Sequence, residues 1–170
     1  KTPLSRVPLT VESLDIPKGL FYHKGHTWAE ILFSGKVRVG IDDFVQRVIG
    51  RIDKVELPKL GKEVKQGEKV ISLIQNGKKL TLVSPVDGVV DGINDELLAN
   101  LADLKVEPYR VGWFFSVKPN NLYNNLMTLK IGEEAAIWFQ TELEKLREFV
   151  MRQVPVYGTV ETGVKEDRVA

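Results

Sequence analysis

Short alternations of apolar and polar residues, separated by turn residues, run through the first two thirds of the chain. Two such runs, 27–33 and 36–41, flank a Ser34–Gly35 pair and are typical of a β-hairpin. Further strands are predicted over 89–93 and 111–117. Many short strands with close turns, and only short helices between them, favour a sandwich or barrel over βαβ units.

The strongest local signal is an Asn-Gly pair between two apolar-rich runs. Asn76 and Gly77 separate residues 71–75 from residues 78–83. Asn-Gly is the preferred pair for a two-residue type I′ turn, in which both central residues need positive φ. The sequence therefore predicts a hairpin with Asn76 and Gly77 at its tip and with Lys78 beginning the return strand.

Helical patterns occupy three segments. Residues 42–50 predict a short helix that begins after an N-cap at Asp42 and ends at Gly50, and residues 95–104 predict a second helix. Residues 133–152 predict a long C-terminal helix, since apolar residues recur at steps of three or four. The apolar stripe of that helix comprises Ala136, Phe139, Leu143, Leu146 and Val150.

Composition narrows the class of protein. The 170 residues are 43% hydrophobic and 28% charged, which is typical of a soluble globular protein. A net charge of +1 gives no reason to expect nucleic-acid or membrane binding, and no apolar run reaches the length of a membrane span. The absence of cysteine excludes disulfides and thiolate metal sites. Because the chain starts at Lys1 rather than Met, we expect a processed form or a fragment, and we expect it in the cytoplasm.

Candidate chemistry is sparse. His23 and His26 suggest a metal site, but they lack the third or fourth ligand that zinc needs, so packing or hydrogen bonding is the favoured interpretation. Asp42, Asp43 and Asp87 suggest acid–base catalysis, yet each lies where a helix cap or a turn favours aspartate. No nucleophile–base pair or phosphate loop accompanies them. The sequence therefore predicts no enzyme, no metal and no catalytic residue.

Two aromatic clusters invite a binding interpretation. Trp113, Phe114 and Phe115 fit a buried strand better than a ligand cage. Trp138 and Phe139 are adjacent on the last helix, so both cannot centre on one face. One of them is expected to be an exposed contact for a partner protein.

Five stretches together resemble the H protein of the glycine cleavage system. They follow one another in the order of that family over about 20–119, at residues 22–28, 39–44, 55–61, 84–88 and 108–113. The resemblance implies a mostly β, barrel-sandwich hybrid of the lipoyl- and biotinyl-carrier type, with short helices and a C-terminal helix. For a true H protein it also implies a lipoyl arm. That arm shuttles an aminomethyl group between a decarboxylase, a transferase and a dihydrolipoyl dehydrogenase.

The departure from the family lies at the hairpin tip. The family carries a Glu-Ser-Val-Lys-Ala core, with the lysine eight residues before the proline that corresponds to Pro85, and that position here is Gly77. Lys78 lies one place further on, and a shift of one residue turns a side chain to the opposite face of a sheet. Asn76, Gly77 and Lys78 therefore form a degenerate lipoyl hairpin, for which we expect no cofactor.

The resulting hypothesis is a non-catalytic, unlipoylated H-protein-like module that acts as a protein-binding or scaffold domain. The alternative is a lipoyl carrier with covalent lipoate on Lys78, which a bulge at Gly77 would re-aim toward the tip. The expected organisation is an extended arm (1–19), the H-protein-like domain (20–119), a helical extension (120–153) and a loosely structured tail (154–170). Protein partners are expected, and the oligomeric state stays open.

Overall fold

Eleven strands and five α-helices are present in a computed structural model that describes residues 9–153, 160–162 and 164–167. Contacts group the chain into two units. One unit comprises residues 12–137, and the other comprises residues 1–11 and 138–170. The mostly β composition with short helices confirms the class that the turn spacing predicts.

Two antiparallel sheets make up the unit of residues 12–137. The larger sheet has the strand order β1-β2-β3-β9-β8-β5, and the smaller one has the order β4-β6-β7. The strands of the larger sheet are β1 (Phe21–Tyr22), β2 (Thr27–Ile31), β3 (Val37–Ile41), β5 (Glu63–Val64), β8 (Gly88–Ile93) and β9 (Phe115–Pro119). The strands of the smaller sheet are β4 (Lys54–Glu56), β6 (Lys69–Gln75) and β7 (Lys78–Val83).

The hydrophobic core draws on both sheets. Inward-facing aliphatic and aromatic side chains of β3, β6 and β9 pack together with the short helices around them. Fully buried members include Val39, Ile41, Ile71, Phe114 and Phe115. Burying side chains of this size stabilises the fold by roughly 1.5–3 kcal/mol each.

The helix predicted over 42–50 is confirmed as α1 (Asp43–Ile49). The Asp42 carboxylate accepts a hydrogen bond from the Val45 N–H at 2.9 Å, as an N-cap does, and Gly50 ends the helix with φ 76°. Both ends of this helix follow from the residues that flank it directly.

The single helix predicted over 95–104 is wrong. The structure has two short helices, α2 (Asp95–Ala99) and α3 (Asp103–Val106). Asn100 leaves the helical conformation with φ −146°, and its N–H bonds the Leu97 carbonyl at 3.0 Å. The break lets Leu104 enter the core, where it is 1% exposed.

The strand predicted over 111–117 begins later, at Phe115, where β9 starts. Phe114 still donates from its main chain to the Val39 carbonyl at 2.7 Å, but Val111 and Trp113 are held by a side chain instead of a strand ladder. Asn94 donates from Nδ2 to the carbonyls of Val111 and Trp113, at 2.9 and 2.8 Å. Gly112 lies so close to the carbonyls of Glu107 and Pro108 that a Cβ at this position would clash with them.

Residues after Pro119 continue the first unit. Helix α4 (Leu122–Leu126) follows β9, and the main chain of Lys130 then exchanges two hydrogen bonds with Tyr22, at 2.8 and 2.9 Å. Leu129 belongs to the hydrophobic core. The sequence predicts neither contact, because both join segments far apart in the chain.

The C-terminal helix, α5 (Gly132–Gln153), confirms the long helix predicted over 133–152. Phe139 and Leu143 are buried, but Val150 of the predicted stripe is 48% exposed. Trp138 is half-buried and its ring lies 4.6 Å from that of Phe139, so the expected exposed member of this pair is not found. No helix in the described residues combines the length and apolar character that a membrane crossing needs.

The predicted loosely structured tail is wrong for part of its length. Strands β10 (Val160–Thr162) and β11 (Val164–Asp167) form an antiparallel pair. The rest of that prediction, residues 154–159, 163 and 168–170, lies outside the described residues, as do residues 1–8 of the predicted arm. Residues 9–19 are mostly irregular, with one 3-10 turn at Val11–Ser13.

Candidate functional site

The hairpin of β6 and β7 forms as the Asn-Gly pair predicts. Gln75 pairs with Lys78, and Asn76 and Gly77 have φ values of 49° and 77°, the signs that a type I′ turn requires. No atom lies within 4 Å of a Cβ built on Gly77. The tip is therefore open, and the restriction on a side chain at position 77 comes from the backbone conformation alone.

A set of hydrogen bonds ties the tip to the last residue of α1 and to the segment that follows it, and we call this set the latch. Gln75 donates from Nε2 to the carbonyls of Ile49 and Arg51, at 2.8 and 2.6 Å. The Asn76 N–H donates to Asp53 Oδ2 at 2.8 Å, and the Asp53 N–H donates to the Ile74 carbonyl at 2.8 Å. The latch fixes the two residues that precede Gly77.

The sequence does not predict the latch. Its partners are 21 to 26 residues apart in the chain, and no local pattern links them. A weak signal existed, because Gln75 is a polar residue with two donor hydrogens directly after an apolar run. Most side-chain hydrogen bonds go to the main chain or to water.

Two lysines follow the tip and lie on opposite faces of the sheet. Lys79 approaches Glu56 at 3.5 Å, and the same carboxylate lies 3.7 Å from Lys54. Lys78 is exposed and forms no ion pair with the residues that the structure describes. The amine at position 78 is thus accessible, but its strand position places it beside Gln75 rather than at the tip.

The two histidines have structural hydrogen-bond partners. His26 Nδ1 lies 2.8 Å from Asp42 Oδ2, and its ring stacks on Phe44 with centroids 4.8 Å apart. His23 Nδ1 accepts from the Gly25 N–H at 2.8 Å, and burial, followed by the nearby Lys24, lowers the pKa of His23. Within the described residues no three His, Asp or Glu side chains come together as metal ligands.

The aspartates considered for acid–base chemistry serve as structural acceptors. Burial raises the pKa of Asp42, an effect that its hydrogen bond to His26 partly offsets. Asp43 accepts from the Asp15 N–H at 2.8 Å and pairs with Arg47 at 3.1 Å. The Asp43 N–H in turn donates to the Tyr109 hydroxyl at 2.8 Å. These contacts use the carboxylates to cap and join elements.

Asp87 organises the turn before β8. Its carboxylate accepts from the Gln66 N–H at 2.6 Å and from Asn121 Nδ2 at 2.9 Å, while its own N–H donates to Asn125 Oδ1 at 2.8 Å. Burial alone would raise the pKa of Asp87. The hydrogen bonds from Gln66 and Asn121, with the nearby Lys65, outweigh burial and lower that pKa.

The aromatic cluster beside β9 is mostly core. Phe114 and Phe115 are fully buried, which confirms the interpretation as core residues. Trp113 is half-buried, and the Arg38 guanidinium lies 4.7 Å from the centre of its ring as a cation–π pair.

Comparison with known proteins decides the family. The family model for the glycine cleavage H-protein matches residues 20–142, which is most of the chain. The chain belongs to the glycine cleavage H-protein family. The matched residues extend beyond residue 119, the end of the segment whose motifs resemble the family.

Individual relatives agree with this assignment. A probable glycine cleavage system H protein of Pyrococcus abyssi is 40% identical over 129 residues, which cover 75% of this chain and 95% of that protein. Glycine cleavage system H protein 2 of Pseudomonas aeruginosa is 37% identical over 108 residues, which cover 63% of this chain and 82% of that protein.

A solved structure confirms the fold. The crystal structure of a glycine cleavage system H protein from Mycobacterium marinum superposes with a TM-score of 0.61 and 26% sequence identity. The superposition covers 75% of this chain and 98% of that chain. The barrel-sandwich hybrid predicted from the motifs is therefore confirmed. H proteins are the non-enzymatic carrier component of the glycine cleavage system, which agrees with the expectation that this chain is not an enzyme.

Proposed function

We propose that this H-protein-family member is an unlipoylated module that binds partner proteins and carries no acyl or aminomethyl group. The observation that carries the proposal is the residue at the tip. Gly77 occupies the position at which the family motif has its lysine, and glycine offers no amine for an amide bond. Its φ of 77° also disfavours any L-residue with a side chain at this position.

The latch supports the same conclusion. Gln75 and Asn76 replace the Ser and Val of the family motif, and both are engaged with the segment after α1. A ligase that modifies a hairpin must reach the tip and its flanking residues, and here those residues are committed to intramolecular hydrogen bonds. The hairpin is therefore built as a fixed element of the fold.

The alternative, a lipoyl carrier modified at Lys78, has one observation in its favour. The Lys78 side chain is exposed and has no ion-pair partner among the described residues. No bulge lies at the tip to turn Lys78 toward it, because Gln75 and Lys78 pair regularly. The residues present therefore fit a lipoyl group poorly.

Intact mass after treatment with a lipoate ligase and lipoate tests the proposal. The comparison includes the parent chain, Gly77→Lys, and a graft that replaces Ile74 to Lys78 by Glu-Ser-Val-Lys-Ala. We expect no mass increase for the parent and little for Gly77→Lys, because lysine at this φ costs roughly 1 kcal/mol and the flanking motif is still absent. The graft should gain the mass of one lipoyl amide.

Lys78→Arg is the matched control, since arginine keeps the charge and cannot be lipoylated. A lipoyl adduct on the parent that maps to Lys78 and disappears in Lys78→Arg would overturn the proposal in favour of the carrier alternative.

A further inference from the structure

Strand β7 is the longest edge strand among those that the structure describes. It spans six residues, Lys78–Val83, and pairs only with β6. The other edge strands of the two sheets, β1, β4 and β5, have two or three residues each. A long, regular edge with unpaired main-chain groups is a ready template for another strand.

The pairing register shows which main-chain groups point outward. Gln75 and Lys78 flank the two-residue turn and form a hydrogen-bonded pair. Along an antiparallel ladder, hydrogen-bonded pairs alternate with pairs that are not hydrogen-bonded. Leu80 and Leu82 therefore direct their main-chain groups at β6. The main-chain N–H and C=O groups of Lys79 and Thr81 point away from β6, and no other described strand forms hydrogen bonds with them.

The edge is also apolar on one face. Leu80 lies opposite Leu73 on the core side of the sheet, yet it is 40% exposed because no strand covers it on the outer side of β7. A strand added to this edge would shield Leu80 from water. The latch holds the hairpin in place before any partner arrives, and this lowers the entropic cost of binding.

Charge selects the kind of strand that fits. Lys54 and Lys79 share the carboxylate of Glu56 on the outer face, so that group of three carries an excess of one positive charge. Lys78, paired with Gln75 beside the tip, adds a further positive charge on the opposite face of the same strand. An added strand would meet a basic edge, and acidic side chains opposite Lys79 would complement it.

We propose that β7 is the docking edge for an extended acidic segment of a partner protein, which adds to β4-β6-β7 as a fourth strand. Main-chain hydrogen bonds to Lys79 and Thr81 would supply affinity, as in other cases of strand addition. Acidic residues on the Lys79 face and apolar residues on the Leu80 face would supply specificity. This proposal deepens the proposed function, since it names the surface and the chemistry of the partner.

The test uses a synthetic nine-residue peptide of alternating Glu and Val as the probe, with a Lys-Val peptide as its charge-reversed counterpart. Binding to the full chain is followed by fluorescence anisotropy, and amide hydrogen exchange locates the site. We expect saturable binding of the Glu-Val peptide, slower exchange at Lys79 and Thr81, and at least tenfold weaker binding of the Lys-Val peptide.

Variants separate the edge from the rest of the surface. Thr81→Pro removes an outward N–H from an edge strand, a position where proline is tolerated, and should weaken peptide binding at least tenfold. Thr81→Val keeps that N–H and should bind the peptide as the parent does. Lys79→Glu should weaken binding about three- to tenfold, and the loss should diminish at high salt. Lys118→Glu makes the same charge change on β9 and should leave binding unchanged. Lys79→Glu keeps the test valid if Thr81→Pro does not fold.

Three results would overturn the proposal: no saturable binding of the Glu-Val peptide, equal binding by parent and Lys79→Glu, or slow exchange at Lys79 and Thr81 in the free protein. The last result would mean that the chain itself or a second copy already covers the edge, and analytical ultracentrifugation distinguishes these two cases. Peptide binding is measured on unmodified protein, so it is independent of the mass measurement. The peptide can fail to bind while the mass shows no lipoyl group, and the peptide can bind although the mass shows that a ligase modifies the chain.

Discussion

The Gln75 side chain joins the hairpin tip to the end of a helix. Its amide bridges two carbonyls, those of Ile49 and Arg51, where α1 ends and the chain enters β4. Carbonyls at a helix end lack partners within the helix, so an amide donor from another strand satisfies them. The same set of contacts also restricts Gln75 and Asn76, the two residues that precede Gly77.

Replacing Gln75 by Ala should loosen the tip at a modest cost in stability. We expect the free energy of unfolding to fall by about 1 kcal/mol, because the two carbonyls lose a protein donor but stay partly accessible to water. The Asn76 amide should exchange faster with solvent. Chemical denaturation and amide hydrogen exchange measure the two effects.

Lys78→Gln is the matched control for Gln75→Ala. Lys78 is exposed and adjacent to the tip, so this change should alter the free energy of unfolding by less than about 0.5 kcal/mol. Unchanged exchange at Asn76 in Gln75→Ala would show that the latch does not hold the turn.

At the scale of elements, close packing between strands sets the tolerance to substitution. Gly40 in β3 faces Trp28 in β2, its pairing partner, and a Cβ on Gly40 would overlap the Trp28 indole. Trp28 is fully buried and donates from Nε1 to the Ile41 carbonyl at 3.0 Å. Glycine at position 40 is what lets this ring lie across the neighbouring strand.

Gly40→Ala should lower the free energy of unfolding by about 1–3 kcal/mol, the usual cost of overpacking a core. Gly35→Ala is the control, because that position has open space and only a positive φ, and it should cost roughly 1 kcal/mol. Adding Trp28→Phe to Gly40→Ala should cost less than the sum of the two single changes, since the smaller ring makes room. Strict additivity in this double-mutant cycle would contradict the packing argument.

The turn at Asp87 should contribute to the dependence of stability on pH. Its hydrogen bonds lower the pKa of this carboxyl, so its stabilising effect is present above about pH 4, the ordinary range for aspartate, and is lost as pH falls through the lowered pKa. Asp87→Asn should therefore be less stable than the parent at pH 7, and the difference should shrink in acid.

Urea denaturation from pH 7 down to pH 3 measures this difference. A constant gap between parent and Asp87→Asn across that range would show that the carboxylate charge does not act as described.

Local chemistry explains which elements could be predicted from the sequence. Asp42 and Gly50 delimit α1, and Asn76 and Gly77 define a turn, because each acts within a few residues of itself. Asn94 could not be predicted in the same way, since its amide holds carbonyls 17 and 19 residues further along the chain. The latch could not be predicted for the same reason. The prediction that the tip lacks the carrier lysine rests only on the family motif and a count of positions, and it stays a prediction.

For the whole molecule, the family assignment and the tip together lead to a prediction about activity. The chain shares the H-protein fold, yet transfer between separate active sites needs a covalent arm that Gly77 cannot anchor. We therefore expect that this protein will not replace a genuine H protein in a reconstituted glycine cleavage assay. The measurement is glycine-dependent CO₂ release with this chain as the only H-like component.

The graft of Glu-Ser-Val-Lys-Ala at 74–78 is the matched comparison in that assay. If the graft is lipoylated yet inactive, contacts outside the hairpin also differ from those of a working H protein. Turnover by the unaltered chain would instead show that it is a functional carrier.

Asn125 has a consequence for where the protein can be cut. From α4 it supplies the acceptor for the Asp87 N–H and, through its carbonyl, the acceptor for Gln66 Nε2 at 3.1 Å. A shortened chain that ends at Pro119 would lose these partners and the core residue Leu129. The smallest piece that unfolds as one cooperative unit should therefore extend at least to Lys130, and dissection of the protein into independently expressed parts must begin beyond that residue.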